Sequence, residues 1–125
     1  MLLGDDSLLA DAIISCGIEV HRGLGPGLPE AVCETALCIE LRAAAIPFAR
    51  QIAIPLFYKG DLIAEYRPDL VVDDRVVVEV KCVARFERIH VAQVLTYLRV
   101  TGLRTGLLLN FNTPVLKQGI RRVCL

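Results

Sequence analysis

Apolar residues keep a helical spacing in the first third of the chain and a strand spacing after it. From Ser7 to about Gly23, Leu9, Ile13, Cys16 and Val20 recur at three- and four-residue steps, which predicts a helix. Ser7 is placed to cap it, and Asp11 puts negative charge near its start, where the dipole favours it. Gly23-Leu24-Gly25-Pro26-Gly27 predicts a loop. Pro29 then opens a second helix running to about Ala45, with Val32, Ala36, Ile39 and Ala43 as its apolar stripe and Glu30 and Glu34 together on another face. Ala49 to Tyr58 is rich in β-formers, Lys59-Gly60-Asp61 is a hairpin turn, and Leu62 to Val72 is the returning strand. Asp73-Asp74 is a second turn. Arg75 to Val83 is a third strand whose run Val76-Val77-Val78-Glu79-Val80 is almost wholly apolar, as in a central strand covered on both faces. A helix from Phe86 to about Val100 ends at Gly102, a strand follows from Arg104 to Phe111, and Gly119 to Leu125 is a short edge strand. The order ααβββαββ, with a helix crossing between two strands, predicts a parallel pair in a mixed β-sheet flanked by helices, an α/β fold.

Composition narrows the class. The 125 residues fit one domain, 1–125, and are enough to bury a sizeable core. A hydrophobic content of 54% against 22% charged excludes intrinsic disorder and leaves room for a homodimer. Fourteen basic and fourteen acidic residues exclude a basic coat for nucleic acid, though not a local patch. The longest apolar candidate, Ala43 to Tyr58, is interrupted by Pro47, Arg50 and Pro55, so no membrane span is expected. Asp5, Asp6 and Asp11 precede the first basic residue, Arg22, the wrong order for a secretory signal. Five cysteines, an odd number and each inside an apolar segment, point to buried reduced thiols in a cytoplasmic protein. Cys33 and Cys38 match no common zinc spacing.

The candidate chemistry lies in Arg67-Pro68-Asp69, nine residues, then Glu79-Val80-Lys81. Alternation along a strand puts Glu79 and Lys81 on one face and Val76, Val78, Val80 and Cys82 on the other. The turn at Asp73-Asp74 folds Asp69 back to within reach of Glu79. Asp69, Glu79 and the main-chain carbonyl of Val80 would form an oxygen-rich site suited to Mg²⁺ or Mn²⁺. Lys81 would orient an attacking water or steady developing charge.

Pro68-Asp69 with Glu79-x-Lys81 resembles the signature of the PD-(D/E)XK nuclease superfamily. Gly27-Leu28-Pro29-Glu30-Ala31-Val32-Cys33, Tyr66-Arg67-Pro68-Asp69-Leu70, His90-Val91-Ala92-Gln93 and Leu107-Leu108-Leu109-Asn110-Phe111-Asn112 resemble its small GxxExxY branch, with Cys33 where that motif has tyrosine. The resemblance implies a restriction-endonuclease-like core and a metal-dependent nuclease acting on nucleic acid, DNA in the first instance. It implies Asp69 and Glu79 as metal ligands, Lys81 as the catalytic lysine and Glu30 as an additional acid near the metal. Gln93 and Tyr97 resemble a Gln-x-x-x-Tyr motif, and their four-residue spacing puts both on one face of a helix. The alternative is a catalytically inactive module of the same fold that binds nucleic acid or a protein.

Each residue also has a plainer role to set against these. Glu79 and Lys81 would make an ordinary ion pair. Glu30 would favour a helix N-terminus, and Glu34 would be solvated or salt-bridged. Gln93 and Tyr97 would bridge helix to sheet, and Asn110 and Asn112 would satisfy loop backbone. Neither His21 nor His90 is expected to be a ligand. The arginines are spread along the chain, and their grouping in space is not legible from the sequence.

Overall fold

The computed structural model describes residues 6–125; Asp5, one of the N-terminal acids, lies outside them. Helices α1 (Ser7–Leu24) and α2 (Glu30–Ala43) come first. Strands β1 (Phe48–Arg50), β2 (Ile54–Tyr58), β3 (Asp61–Tyr66), β4 (Leu70–Val72) and β5 (Val76–Lys81) follow. Helix α3 (Arg88–Thr101), β6 (Thr105–Asn110), a 3₁₀ turn and β7 (Ile120–Cys124) complete the chain. The main sheet has the order β1-β4-β5-β6-β7, and β2 pairs only with β3.

The expected α/β class and its crossover hold: β5 and β6 run parallel, with α3 between them. The strand count differs, because two predicted strands are each divided. Gln51 adopts a left-handed backbone, φ 54°, which ends β1 and sends the chain from the main sheet into the hairpin. On the return, the stretch at Arg67-Pro68 breaks β3 from β4, where Pro68 has no N–H to offer a ladder. The element order is therefore ααβββββαββ rather than ααβββαββ. Both predicted turns are formed, with Lys59, Gly60, Asp73 and Asp74 all at positive φ.

Two layers of side chains cover the sheet. Val76, Val78, Val80, Leu107 and Leu109 pack with α1 and α2. Val77 and Leu108 pack with Val94, Tyr97 and Leu98 of α3. Strand alternation then places Glu79 and Lys81 on the α3 face, at the end of β5.

Two helix assignments are corrected. Asp6, not Ser7, occupies the N-cap of α1, and its carboxylate reaches the sheet instead, accepting from Arg75 Nε at 3.0 Å and Thr105 Oγ1 at 2.9 Å. In α2 the buried residues are Cys33, Glu34, Leu37, Cys38 and Leu41, whereas Val32 and Ile39 of the expected stripe are exposed. The helix is apolar on two sides, so periodicity alone does not select the inward one. The cysteines also differ from expectation. All five are free, but Cys82 is half-buried and Cys124 exposed. No described helix is long and apolar enough to cross a membrane.

Gly106 sets how closely α3 lies on the sheet, since a Cβ there would collide with Val94 Cγ1. Gly106→Ala is expected to destabilise the protein by about 1–3 kcal/mol through overpacking. An unchanged denaturant midpoint would contradict this seating of α3. Beyond β6, Asn110 clamps the loop after β5: its Nδ2 donates to Val83 O at 2.8 Å and its Oδ1 accepts from Val83 N at 3.1 Å.

Candidate active site

The antiparallel register of β4 and β5 pairs Leu70 with Val78, which brings Asp69 opposite Glu79 at the next step. Two reciprocal bonds fasten the acids across the strands. The Asp69 amide donates to Glu79 Oε2 at 2.7 Å, and the Val80 amide donates to Asp69 Oδ2 at 2.8 Å. Lys81 Nζ lies 3.9 Å from Glu79 Oε1 and 3.5 Å from Gln93 Oε1. Tyr97, one turn further along α3 and 5% exposed, meets Tyr66 edge to face. The structure therefore brings Asp69, Glu79, Lys81, Gln93 and Tyr97 together, with Val80 held in the same strand.

Glu30 reaches the chain just past the end of β5. Its carboxylate accepts from the Cys82 amide at 3.4 Å, past Lys81, and it is exposed. The acid that reaches Asp69 is Glu34, one turn on and buried. Arg50 Nε donates to Glu34 Oε2 at 2.6 Å, and Gln51 Nε2 lies 3.2 Å from both Glu34 oxygens and 3.0 Å from Asp69 Oδ1. Glu34 is thus salt-bridged, as one of its sequence readings had it, but beside the acid pair. Arg50 and Gln51 join the site although no motif or spacing marks them. Their signal was a polar pair set in the apolar run of Ala49 to Tyr58.

Burial and crowding load the site with proton affinity. Desolvation, reinforced by the charge of Asp69, pushes Glu79 up to about 8. Desolvation and the nearby Glu34 push Asp69 up to about 6, against the opposing Val80 and Gln51 hydrogen bonds. Both folded values lie above the ordinary carboxylate range, so the folded protein retains protons that the unfolded chain has already released. These two acids therefore make the protein lose stability as pH rises from about 4 to about 8, by an amount on the order of a few kcal/mol. Chemical denaturation in EDTA across that range measures this slope, and a rise in stability over the same window would contradict the burial of Glu79.

The donor set fits a hard divalent cation. Its groups are carboxylate oxygens that, once both acids are ionised, carry more negative charge than the Lys81 ammonium offsets. Among the described residues no group of three or more His, Cys, Asp or Glu forms a ready cage. The pair Asp69 and Glu79 would leave most of a coordination shell to water, the way Mg²⁺ is commonly held. Beside Gln93, a cleft of about 270 Å³ is lined by Tyr66, Ile89, His90, Ala92 and Thr96. His90 itself serves as a cap, its Nδ1 accepting from the Glu87 amide at 2.9 Å.

A family model described as the PD-(D/E)XK nuclease superfamily matches residues 7–123. No curated protein and no solved structure matches the chain. The three helices, mixed five-stranded sheet and small second sheet agree with the restriction-endonuclease-like fold that such a match carries.

Proposed function

Because the chain belongs to the PD-(D/E)XK nuclease superfamily, we propose that it is a metal-dependent nuclease hydrolysing phosphodiester bonds of nucleic acid, with DNA as substrate. The observation that carries this reading is the reciprocal fastening of Asp69 and Glu79 across β4 and β5, with Lys81 alongside. Asp69 and Glu79 would hold the ion, with the Val80 carbonyl as a further oxygen donor. Bound there, Mg²⁺ or Mn²⁺ supplies Lewis acidity toward a phosphoryl oxygen and lowers the pKa of a water.

The chain's own residues do the rest. Lys81 presents its ammonium to the phosphate oxygen on which charge develops, or to the attacking water. Gln93 orients Lys81 through its side-chain oxygen, and Tyr97 closes the site from the α3 side, limiting water behind Glu79. The cleft bordered by Tyr66 and Gln93 offers room for a nucleotide next to the cut bond. Arg88 and Arg121, which line a second groove at the start of α3, offer contacts for flanking phosphates.

The test is cleavage of single- and double-stranded DNA with Mg²⁺ or Mn²⁺. Hydrolysis that is abolished by EDTA and restored by the ion is expected. Cleavage that survives EDTA would overturn the assignment. Ion binding must also displace protons from Asp69 and Glu79, so calorimetric affinity for Mg²⁺ is expected to rise between about pH 6 and pH 8. A pH-independent affinity would place the ion on other residues.

Zero net charge and Cys33 in place of the motif's tyrosine favour a second reading, a nuclease-like module that binds nucleic acid or a protein partner without cutting. Nucleic-acid binding with no Mg²⁺ or Mn²⁺ binding at millimolar concentration would establish it. Within the superfamily we place the chain in the GxxExxY branch on the motifs around Glu30 and Asp69, and its free thiols suit the cytoplasm. Val32 and Ile39 on α2, with Phe57, Tyr58, Leu62 and Ile63 on the hairpin, are exposed apolar groups that support self-association as a homodimer. Light scattering decides between monomer and dimer.

A further inference from the structure

Gln51 combines a backbone conformation that side-chain-bearing residues seldom adopt with a full set of contacts around the acid pair. Its φ of 54° is maintained by two bonds to its main chain: its amide donates to Asp69 O at 3.0 Å, and its carbonyl accepts from the side-chain Nη1 of Arg67 at 3.1 Å. That turn aims the side chain back at the site. The NH₂ group reaches Asp69 Oδ1 at 3.0 Å and both oxygens of Glu34 at 3.2 Å. Two protons are therefore shared among three carboxylate oxygens. Arg50 Nε holds Glu34 at 2.6 Å. Glu34 itself is buried, while Gln51 is exposed, so the residue that bridges the carboxylates is open to solvent.

We propose that Gln51 is a positioning residue that stands in for a cation: its NH₂ group holds Glu34 and Asp69 together without metal and is displaced when a divalent ion binds Asp69. The inference rests on the reading of Asp69 and Glu79 as metal ligands. An amide offers a partial positive charge where the ion offers two full ones, so both draw on the same oxygens and compete for them. The exchange leaves the backbone in place, because the bonds to Asp69 O and from the Arg67 guanidinium engage the main-chain N–H and carbonyl of Gln51 and survive a swing of its side chain. The left-handed conformation thereby gains a purpose: it keeps the amide in reach of the site while the main chain stays fixed.

The test uses the full chain with its glutamine side chains labelled. Only Gln51, Gln93 and Gln118 contribute signals. On titration with Mg²⁺, the Gln51 NH₂ pair is expected to shift and to exchange its protons faster, with Gln118 unmoved. Gln51→Gly suits the left-handed backbone and deletes only the amide arm. It is expected to bind Mg²⁺ about tenfold more tightly by calorimetry and to melt lower in EDTA, the difference from wild type closing in excess Mg²⁺. Gln51→Glu keeps the shape without the donors and is expected to move affinity in the same direction, so the test stands if the glycine variant does not fold. A purely structural glutamine would lower melting equally with and without the ion and leave affinity alone. Unmoved Gln51 signals in a wild type that binds Mg²⁺, or unchanged or weaker binding by both variants, overturns the proposal and leaves the metal-site reading intact. A flat wild-type isotherm for both Mg²⁺ and Mn²⁺ overturns both.

Discussion

Glu79→Gln is expected to abolish Mg²⁺-dependent cleavage and, in the same molecule, to raise stability at pH 8. Glu79 is 3% exposed, on a strand that is otherwise core, and its ionised form is opposed by burial and by Asp69. A neutral amide keeps an oxygen to accept the Asp69 N–H and carries no charge to desolvate. The gain is about 1–3 kcal/mol in EDTA at pH 8 and fades toward pH 4, where the native carboxyl is already protonated in both folded and unfolded chains. The loss of cleavage is on the order of a thousandfold or more, because an amide is a poor ligand for a hard ion and adds no charge to it. Denaturation midpoints and cleavage rates on the same preparation check both halves. A variant that keeps its activity would remove Glu79 from the metal site. A variant that loses stability at pH 8 would make its hydrogen bond to Asp69 the dominant contribution and its charge a minor one.

Lys81→Met is the second large effect, with the opposite signature. The methionine preserves most of the apolar stem and removes the ammonium. Cleavage is expected to fall about 10²–10³-fold, the usual scale for removing a donor aimed at developing charge. Mg²⁺ affinity is expected to hold or to improve, since a positive charge 3.9 Å from Glu79 Oε1 has been taken away. Stability at pH 8 is expected to fall slightly, because Lys81 is the group whose charge favours ionised Glu79. The pair of variants thus separates holding the ion from using it. Loss of Mg²⁺ binding in Lys81→Met, or full activity, would deny the lysine its assigned part.

What could be read in the chain, and what could not, follows from the range of the interactions involved. Asp69 and Glu79 are ten residues apart, joined by one tight turn at Asp73-Asp74, so alternation and a short antiparallel pair suffice to bring them opposite one another. Lys81, Gln93 and Tyr97 follow from the strand and from the helix that crosses back over it. Glu34 and Gln51 obey no such local rule. Glu34 joins Asp69 because of the way α2 rotates, and α2 carries two apolar sides, of which the Cys33, Leu37 and Leu41 side is buried. Tertiary packing settles that choice, and it also brings Glu30 to the Cys82 amide, just past Lys81. Gln51 depends on a single left-handed residue that turns one expected strand into two, and no glycine marks the place. The division at Pro68 had a visible cause, whereas the division at Gln51 showed only as Arg50-Gln51 set among apolar neighbours.

Crystals grown or soaked in Mn²⁺ test most directly whether a divalent ion is held between Asp69 and Glu79. Anomalous density bridging the two carboxylates, lost in Asp69→Asn, is the expected result. Fully occupied Mn²⁺ at other residues with none between Asp69 and Glu79 would contradict it.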